Sequence, residues 1–152
     1  MSKNIVETIS AGGIIYEDGK YLLINWPSEN TVEIPKGTVK LGESIEDACK
    51  REILEETGYT VEIIAPLSVS NYTVDWHDGK TYHKTVHYFL LNPVKGSELH
   101  SNRQQGEDFE NLWVSSKDAL SLLSFEEMRT AMLKAMQICE KGKDDRAEKA
   151  SH

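Results

Sequence analysis

The sequence holds two cysteines, Cys49 and Cys139, and four prolines, and its basic side chains are outnumbered by acidic ones. Each shortage excludes something. Two cysteines make no disulfide framework and suit a reducing compartment. No apolar stretch approaches the roughly 20 residues of a membrane-spanning helix. The start, Met1 to Val6, meets Glu7 before a signal-type apolar core can form, so no secretory leader is expected. Lys+Arg number 17 against 25 Asp+Glu, a formal charge of -8 with pI ≈ 5.1. That balance lacks the basic stripe that releases counterions from a nucleic-acid backbone, so DNA is not an expected partner. A nucleotide substrate remains open, because a bound metal ion reverses the local sign of a site. No repeat and no Pro/Gly/Ser-rich linker divides the chain. With 152 residues, 39% of them hydrophobic and 28% charged, it has the length and composition for one cored domain. The expectation is a soluble cytoplasmic domain over residues 1–140 with no membrane partner.

Strand patterns come first. Ile9–Tyr16 and Tyr21–Asn25 are β-rich runs joined through Asp18-Gly19, a strong hairpin signal. A short strand over Thr31–Ile34 stops at Pro35, and a loop with two glycines follows from Lys36 to Glu43. Ser44, with Asp47 three positions on, offers a helix N-cap, and Gly58 offers the stop. Thr60–Pro66, Val69–Trp76 and Thr81–Leu91 read as further strands, with a turn at Asp78-Gly79. In the last of these, Val86, Tyr88 and Leu90 face one side and His87, Phe89 and Leu91 the other. A polar loop from Lys95 to Glu107 leads to the strand Leu112–Val114. Ser115 or Ser116 can cap a short helix, and Ser124 with Glu127 forms a capping box for a helix to about Glu140. Phe125, Met128, Met132, Leu133 and Met136 give that helix its apolar positions, and the methionines read as core. The charged tail 141–152 is expected to fray into disorder. The order of elements indicates an α/β (α+β) fold, a mixed sheet between helices.

The helix from Ser44 to Thr57 carries the chemistry. At 100° per residue, Glu52, Glu55 and Glu56 fall within an arc of roughly 100°, with Arg51 beside them. Two carboxylates about 5 Å apart on a partly buried face would repel by roughly 3 kcal/mol at an effective dielectric of about 20, so a cation belongs there. Hard oxygen donors that leave room for water and phosphate oxygens suit Mg²⁺ or Mn²⁺. Gly37 permits a close backbone approach and can turn its own carbonyl, or that of Lys36, toward the metal. Glu43 sits within reach of Arg51, so an ion pair could pin the loop to the helix.

Gly37, Glu43, Arg51-Glu52-Ile53, Glu55-Glu56 and Gly58 stand at the spacing of the Nudix box, and the chain closely resembles that family over roughly residues 5 to 140. Tyr59 is a soft departure, at a position usually aliphatic. The resemblance implies a Nudix fold and metal-dependent hydrolysis of a pyrophosphate bond in a nucleoside diphosphate linked to another moiety. It places metal ligation on Glu52, Glu55 and Glu56 with a carbonyl near Lys36-Gly37; one of these three catalytic glutamates must take the proton, members of the family differ in which, and Glu52 is our choice for the base. Glu43, Arg51 and Gly58 become supports of the motif.

Outside the box, Ile34-Pro35-Lys36-Gly37, Asn71-Tyr72, the run Lys84–Leu90, Glu107 ahead of Trp113, and Phe125–Met128 resemble the asymmetrical diadenosine tetraphosphate hydrolases. That resemblance implies cleavage to ATP and AMP. Lys36 and Lys84 would hold phosphate oxygens, Tyr72 would donate its hydroxyl, Phe125 would stack on a base, Tyr88 would join the substrate-binding strand, and Glu107 would add a carboxylate to the metal cluster. An aromatic pair usual before the Pro-Lys-Gly segment is Thr31-Val32 here, and a His usual after the glycine is Thr38. Trp26 or Trp76 is the substitute platform. His77, His83 and His87 read as surface or packing residues, and Cys49 as a small core residue. Three other functions stay open: a (d)NTP or oxidised-nucleotide pyrophosphohydrolase, an RNA 5′-pyrophosphohydrolase disfavoured by the charge, and a nucleotide sensor without turnover. Monomer and homodimer are both compatible with the sequence.

Overall fold

The computed structural model describes residues 4–94 and 109–150, with side chains described as far as residue 140. Seven strands and three helices follow in the order β1 (Ile5–Glu17), β2 (Lys20–Trp26), β3 (Thr31–Glu33), β4 (Lys36–Thr38), α1 (Ile45–Thr57), β5 (Val61–Asp75), β6 (Thr81–Pro93), β7 (Glu110–Val114), α2 (Ser116–Leu122) and α3 (Glu126–Ala150). The strands form one sheet with the path β3-β2-β1-β6-β5, while β4 also pairs with β1 and β7 with β2. Among the described residues only the β1–β6 pairing is parallel, so the sheet is mixed as expected. Among the described residues no helix is long and apolar enough to cross a membrane.

Asp18 and Gly19 close the first hairpin between paired Glu17 and Lys20, both with positive φ, 51° and 80°. That is the turn whose twist matches the flanking strands. Two expected strands, over Thr60–Pro66 and Val69–Trp76, are one: β5 runs through Pro66 by shifting register between Ile63 and Ala65 and between Pro66 and Ser68. Bulges there tolerate a residue with no N–H to give the ladder. The expected loop after Pro35 also contains a short strand. In it Lys36 and Gly37 pair with Gly12 and Ala11 of β1.

Side-chain alternation on β6 divides the core as the pattern required. Val86, Tyr88 and Leu90 join Ile14, Leu23 and the α3 residues Met128, Ala131, Met132 and Ala135 on one face. Phe89 and Leu91 join Ala11, Ile15 and Leu22 against Ala48, Cys49 and Ile53 of α1 on the other. The result is a sheet sandwiched between helices. Cys49 is wholly buried, and burial pushes its thiol up to about 12, so it packs as a small apolar group.

Three expectations at the C-terminal side need correction. Ser124 does not cap α3; its Oγ accepts the Val32 N–H at 3.0 Å and its own N–H donates to the Val32 carbonyl, tying the helix entry to β3. Leu133 lies on the exposed side of α3, where Ala131 and Ala135 take the inward positions beside Met128 and Met132, and Phe125, just ahead of the helix, is exposed as well. The backbone of α3 continues past Glu140 to Ala150 through a run rich in Lys, Glu, Arg and Ala, all good helix formers.

Candidate active site

Ser44 starts α1 by accepting the Asp47 N–H on its Oγ at 3.0 Å, and Gly58 ends it at φ 85° with its N–H on the Leu54 carbonyl. Between these caps Ala48, Cys49 and Ile53 are buried, and at 100° per residue Glu52 and Glu56 project from the same side of the helix, where it meets the β4 loop. Gly37 lies where that side and the loop meet. A Cβ at this position would fall on the carboxyl group of Glu52, so only glycine leaves the carboxylate its place. One residue earlier, the Lys36 N–H donates to Glu56 Oε2 at 3.1 Å. The glycine loop and the acidic helix face are therefore one surface.

Arg51 organises it. Its Nε and Nη2 reach the two oxygens of Glu43 at 2.7 and 3.0 Å, and Nη2 also donates to the Thr38 carbonyl at 2.9 Å. Its Nη1 bridges Glu52 at 2.7 Å and Glu55 at 3.2 Å. The fork thus clips both ends of the loop to the helix and spaces two carboxylates. Glu43 responds: the Arg51 hydrogen bond, aided by the Lys40 N–H, holds its carboxyl well below the usual range, at about 2. The Arg51 guanidinium is correspondingly raised, chiefly by Glu43. Glu56 moves the opposite way. Burial first, then the charge of Glu52, pushes it up to about 8 against the pull of the Lys36 N–H. The charge of Lys36 also pulls it down, but burial and Glu52 outweigh that pull.

Among the described residues no three Asp, Glu, His or Cys side chains converge into a ready-made metal cage. The donors available are carboxylate oxygens and backbone carbonyls. Such a set fits a small hard cation that keeps waters and takes its remaining ligands from a phosphate chain, as Mg²⁺ does. Glu107 lies outside the described residues.

Beside Glu56 opens a cleft of about 210 Å³ lined by Trp26, Glu29, Glu33, Ile34, Lys36 and Glu56. Lys36 lines this cleft together with Glu56. Strand register collects the other expected substrate residues onto the α3 side of the sheet. Gly12 is paired with Lys36 on one side and Tyr88 on the other, and Tyr72 is paired with Lys84. Lys84 lines a second hollow of about 160 Å³ with Val74, Trp76 and Tyr82. Tyr72 is partly buried against the core, and burial, then Glu127 and Glu33, raises its hydroxyl. Phe125 is 39% exposed at the entry to α3. Tyr88 departs from expectation: at 1% exposure its ring is core, and among the described residues its buried hydroxyl has no hydrogen-bond partner, like that of Ser68 opposite it. His83 Nδ1 is engaged with Glu7 at 2.7 Å, far along the sheet from the glutamates.

Glu29 and Glu33 were not singled out by the sequence, and Trp26 could not be placed from it. Their signal was faint: one aromatic before a Pro-Ser turn and two acids among many. Trp26 is held at the cleft by Phe109, ring centroids 4.5 Å apart.

The site thus combines a mixed sheet between helices with a glutamate-faced helix clipped to a glycine loop. The family model for the NUDIX domain matches residues 6–136, and the chain belongs to the Nudix hydrolase family, whose members generally use divalent metals on small nucleotide substrates. A Mycobacterium tuberculosis protein that carries the name mutator protein MutT4 is 33% identical over 74% of this chain. The ADP-ribose pyrophosphatase of Bacillus subtilis is 30% identical over 77% of it. The chain spans 44% and 63% of the lengths of these two relatives. In fold it is similar to a NUDIX hydrolase from Nitrosomonas europaea, with a TM-score of 0.63, 21% identity and coverage of 85% of this chain and 88% of that one.

Proposed function

We propose that the chain hydrolyses a pyrophosphate bond by water attack, with Mg²⁺ or Mn²⁺ as cofactor, and that its substrate is diadenosine tetraphosphate, cleaved asymmetrically to ATP and AMP. The observation that carries the chemistry is the joint seating of Glu52 over bare Gly37 and of Glu56 on the Lys36 N–H. Glu52, Glu55 and Glu56, with a carbonyl at Lys36 or Gly37, would hold the cation. When bound, it neutralises polyphosphate charge and lowers the pKa of a coordinated water. Arg51 fixes the Glu52 carboxylate at 2.7 Å, and Glu52 takes the proton of the attacking water. Lys36 holds a phosphate oxygen as a point charge, and Glu43 keeps Arg51 in place without touching substrate.

The dinucleotide reading rests on two separate aromatic-bearing hollows, one at Trp26 with Lys36 and one at Trp76 and Tyr82 with Lys84. They offer a place for each nucleoside of a two-ended substrate, with Tyr72 beside Lys84 and Phe125 at the α3 entry. A second reading, hydrolysis of ADP-ribose or of a (d)NTP, is favoured by the names of the relatives, among them a Bacillus subtilis protein named for 8-oxo-dGTP diphosphatase activity. Ion-exchange analysis of products from diadenosine tetraphosphate, ADP-ribose and a dNTP panel, with Mg²⁺ and with Glu56→Gln as control, separates the two. ATP plus AMP as the dominant products supports the first reading. AMP plus ribose 5-phosphate, or a nucleoside monophosphate plus pyrophosphate, replaces it with the second.

A further inference from the structure

The metal chemistry uses only one wall of the 210 Å³ cleft, through Lys36 and Glu56. Its other wall is the β2–β3 hairpin, which brings an aromatic ring and two carboxylates together. Trp26 pairs with Thr31, and Ile24 with Glu33, in alternate positions of the ladder, with Asn25–Val32 between them. Same-face spacing therefore puts the indole and the Glu33 carboxylate side by side. Phe109 backs the indole at 4.5 Å, and Thr31 Oγ1 donates to Glu33 Oε2 at 2.9 Å, so neither group hangs loosely. The connecting turn adds Glu29, whose N–H donates to the Trp26 carbonyl at 3.2 Å. This wall is chemically odd for a site that takes phosphates, since two carboxylates repel them. It suits the other end of a nucleotide. An indole face supplies stacking to any base, and carboxylate oxygens accept only from donors such as an exocyclic amine. The charge gradient then orients the ligand, phosphates toward Lys36 and the acidic wall toward the base.

Resting on the hydrolase reading above, we infer that Trp26, Glu29 and Glu33 form a nucleobase subsite selective for amine-bearing bases. The indole is the platform and the two glutamates accept from the amine edge. The test is calorimetric binding of AMP and of purine riboside 5′-monophosphate, which lacks the 6-amino group, to the metal-free chain in EDTA. The unsubstituted chain should prefer AMP by about tenfold, the worth of one charge-assisted hydrogen bond. Glu29→Ala/Glu33→Ala should abolish that preference and leave the purine riboside affinity in place. Trp26→Ala should weaken both ligands by about tenfold, and Trp26→Phe should restore most of the loss, which separates stacking from a folding defect. Equal affinity for the two ligands in the unsubstituted chain, or a preference that survives the double substitution, overturns the inference. Unchanged binding in Trp26→Ala does so too. Turnover assays on the same preparations keep the two readings apart. Hydrolysis without base preference sinks only the subsite, and base preference without hydrolysis sinks only the catalytic reading.

Discussion

Glu56 is a buried carboxylate beside a second one, Glu52, and that environment sets how it titrates. Its folded pKa of about 8 lies above the ordinary 4.5, so folding favours the protonated form. The associated stability is present below about pH 4.5 and is lost as pH rises through about 8. The metal-free chain should therefore show a melting temperature that falls across that window, and Glu56→Gln should flatten the slope; thermal denaturation in EDTA at a series of pH values checks it. Glu43 has the opposite sign. Its folded value of about 2 means that its contribution is held above 4.5 and lost only as pH falls toward 2. Gly37 gives a sharper prediction, because the Cβ of Gly37→Ala would occupy the Glu52 carboxylate position. On the proposed role of Glu52 as base, an ångström-scale displacement of its carboxylate should cost about 100-fold in metal-supported hydrolysis, measured as kcat on the preferred substrate, with the melting temperature nearly unmoved. Residues such as Glu52 and Gly37 were legible in the sequence because their spacing on one helix and one loop is local. Trp26 and Glu33 were not, because their adjacency comes from strand pairing and their meeting with Glu56 from packing.

Among the elements, α3 was read correctly as a core helix and wrongly at its start. The Ser124–Glu127 pattern fits a capping box, yet the Ser124 hydroxyl is taken by the backbone of β3, a partner from a distant part of the chain. Met128 cements the same junction. It is 1% exposed, and its sulfur accepts the Ile34 N–H at 3.3 Å just before the Pro35-Lys36-Gly37 loop. Met128→Ala should cost about 2–5 kcal/mol of stability, read from denaturant unfolding. It should also lower turnover beyond what the stability loss explains at temperatures well below melting, since the loop loses its backing. The helix α1 was legible nearly to the residue, because both its caps and its buried face are written in consecutive positions. The strand β4, three residues long, was the hardest element and read as loop, whereas the equally short β3 was expected over Thr31–Ile34. Runs that short carry no alternation, and their pairing with β2 and β1 decides them.

At the scale of the molecule, the two core clusters on opposite faces of one sheet hold α1 and α3 apart while the β4 loop touches both sides. Adding Mg²⁺ to the intact chain should raise its melting temperature more at pH 8 than at pH 5, because the cation offsets a carboxylate charge that exists only at the higher pH. Calorimetric scans with and without EDTA measure that difference; an equal shift at both pH values would separate metal binding from Glu56. By itself the sequence determined the division of β6 into two faces, the acidic face of α1, the clip from Glu43 to Arg51 and the family. All of these depend on residues near one another in the chain, where helical and strand periods govern. The tertiary structure alone decided that Tyr88 is core, that Ser124 belongs to β3, and that Trp26, Glu33, Lys36 and Glu56 share a cleft. Those outcomes turn on register and on which faces meet, and contacts between distant segments are set by packing that no local pattern encodes.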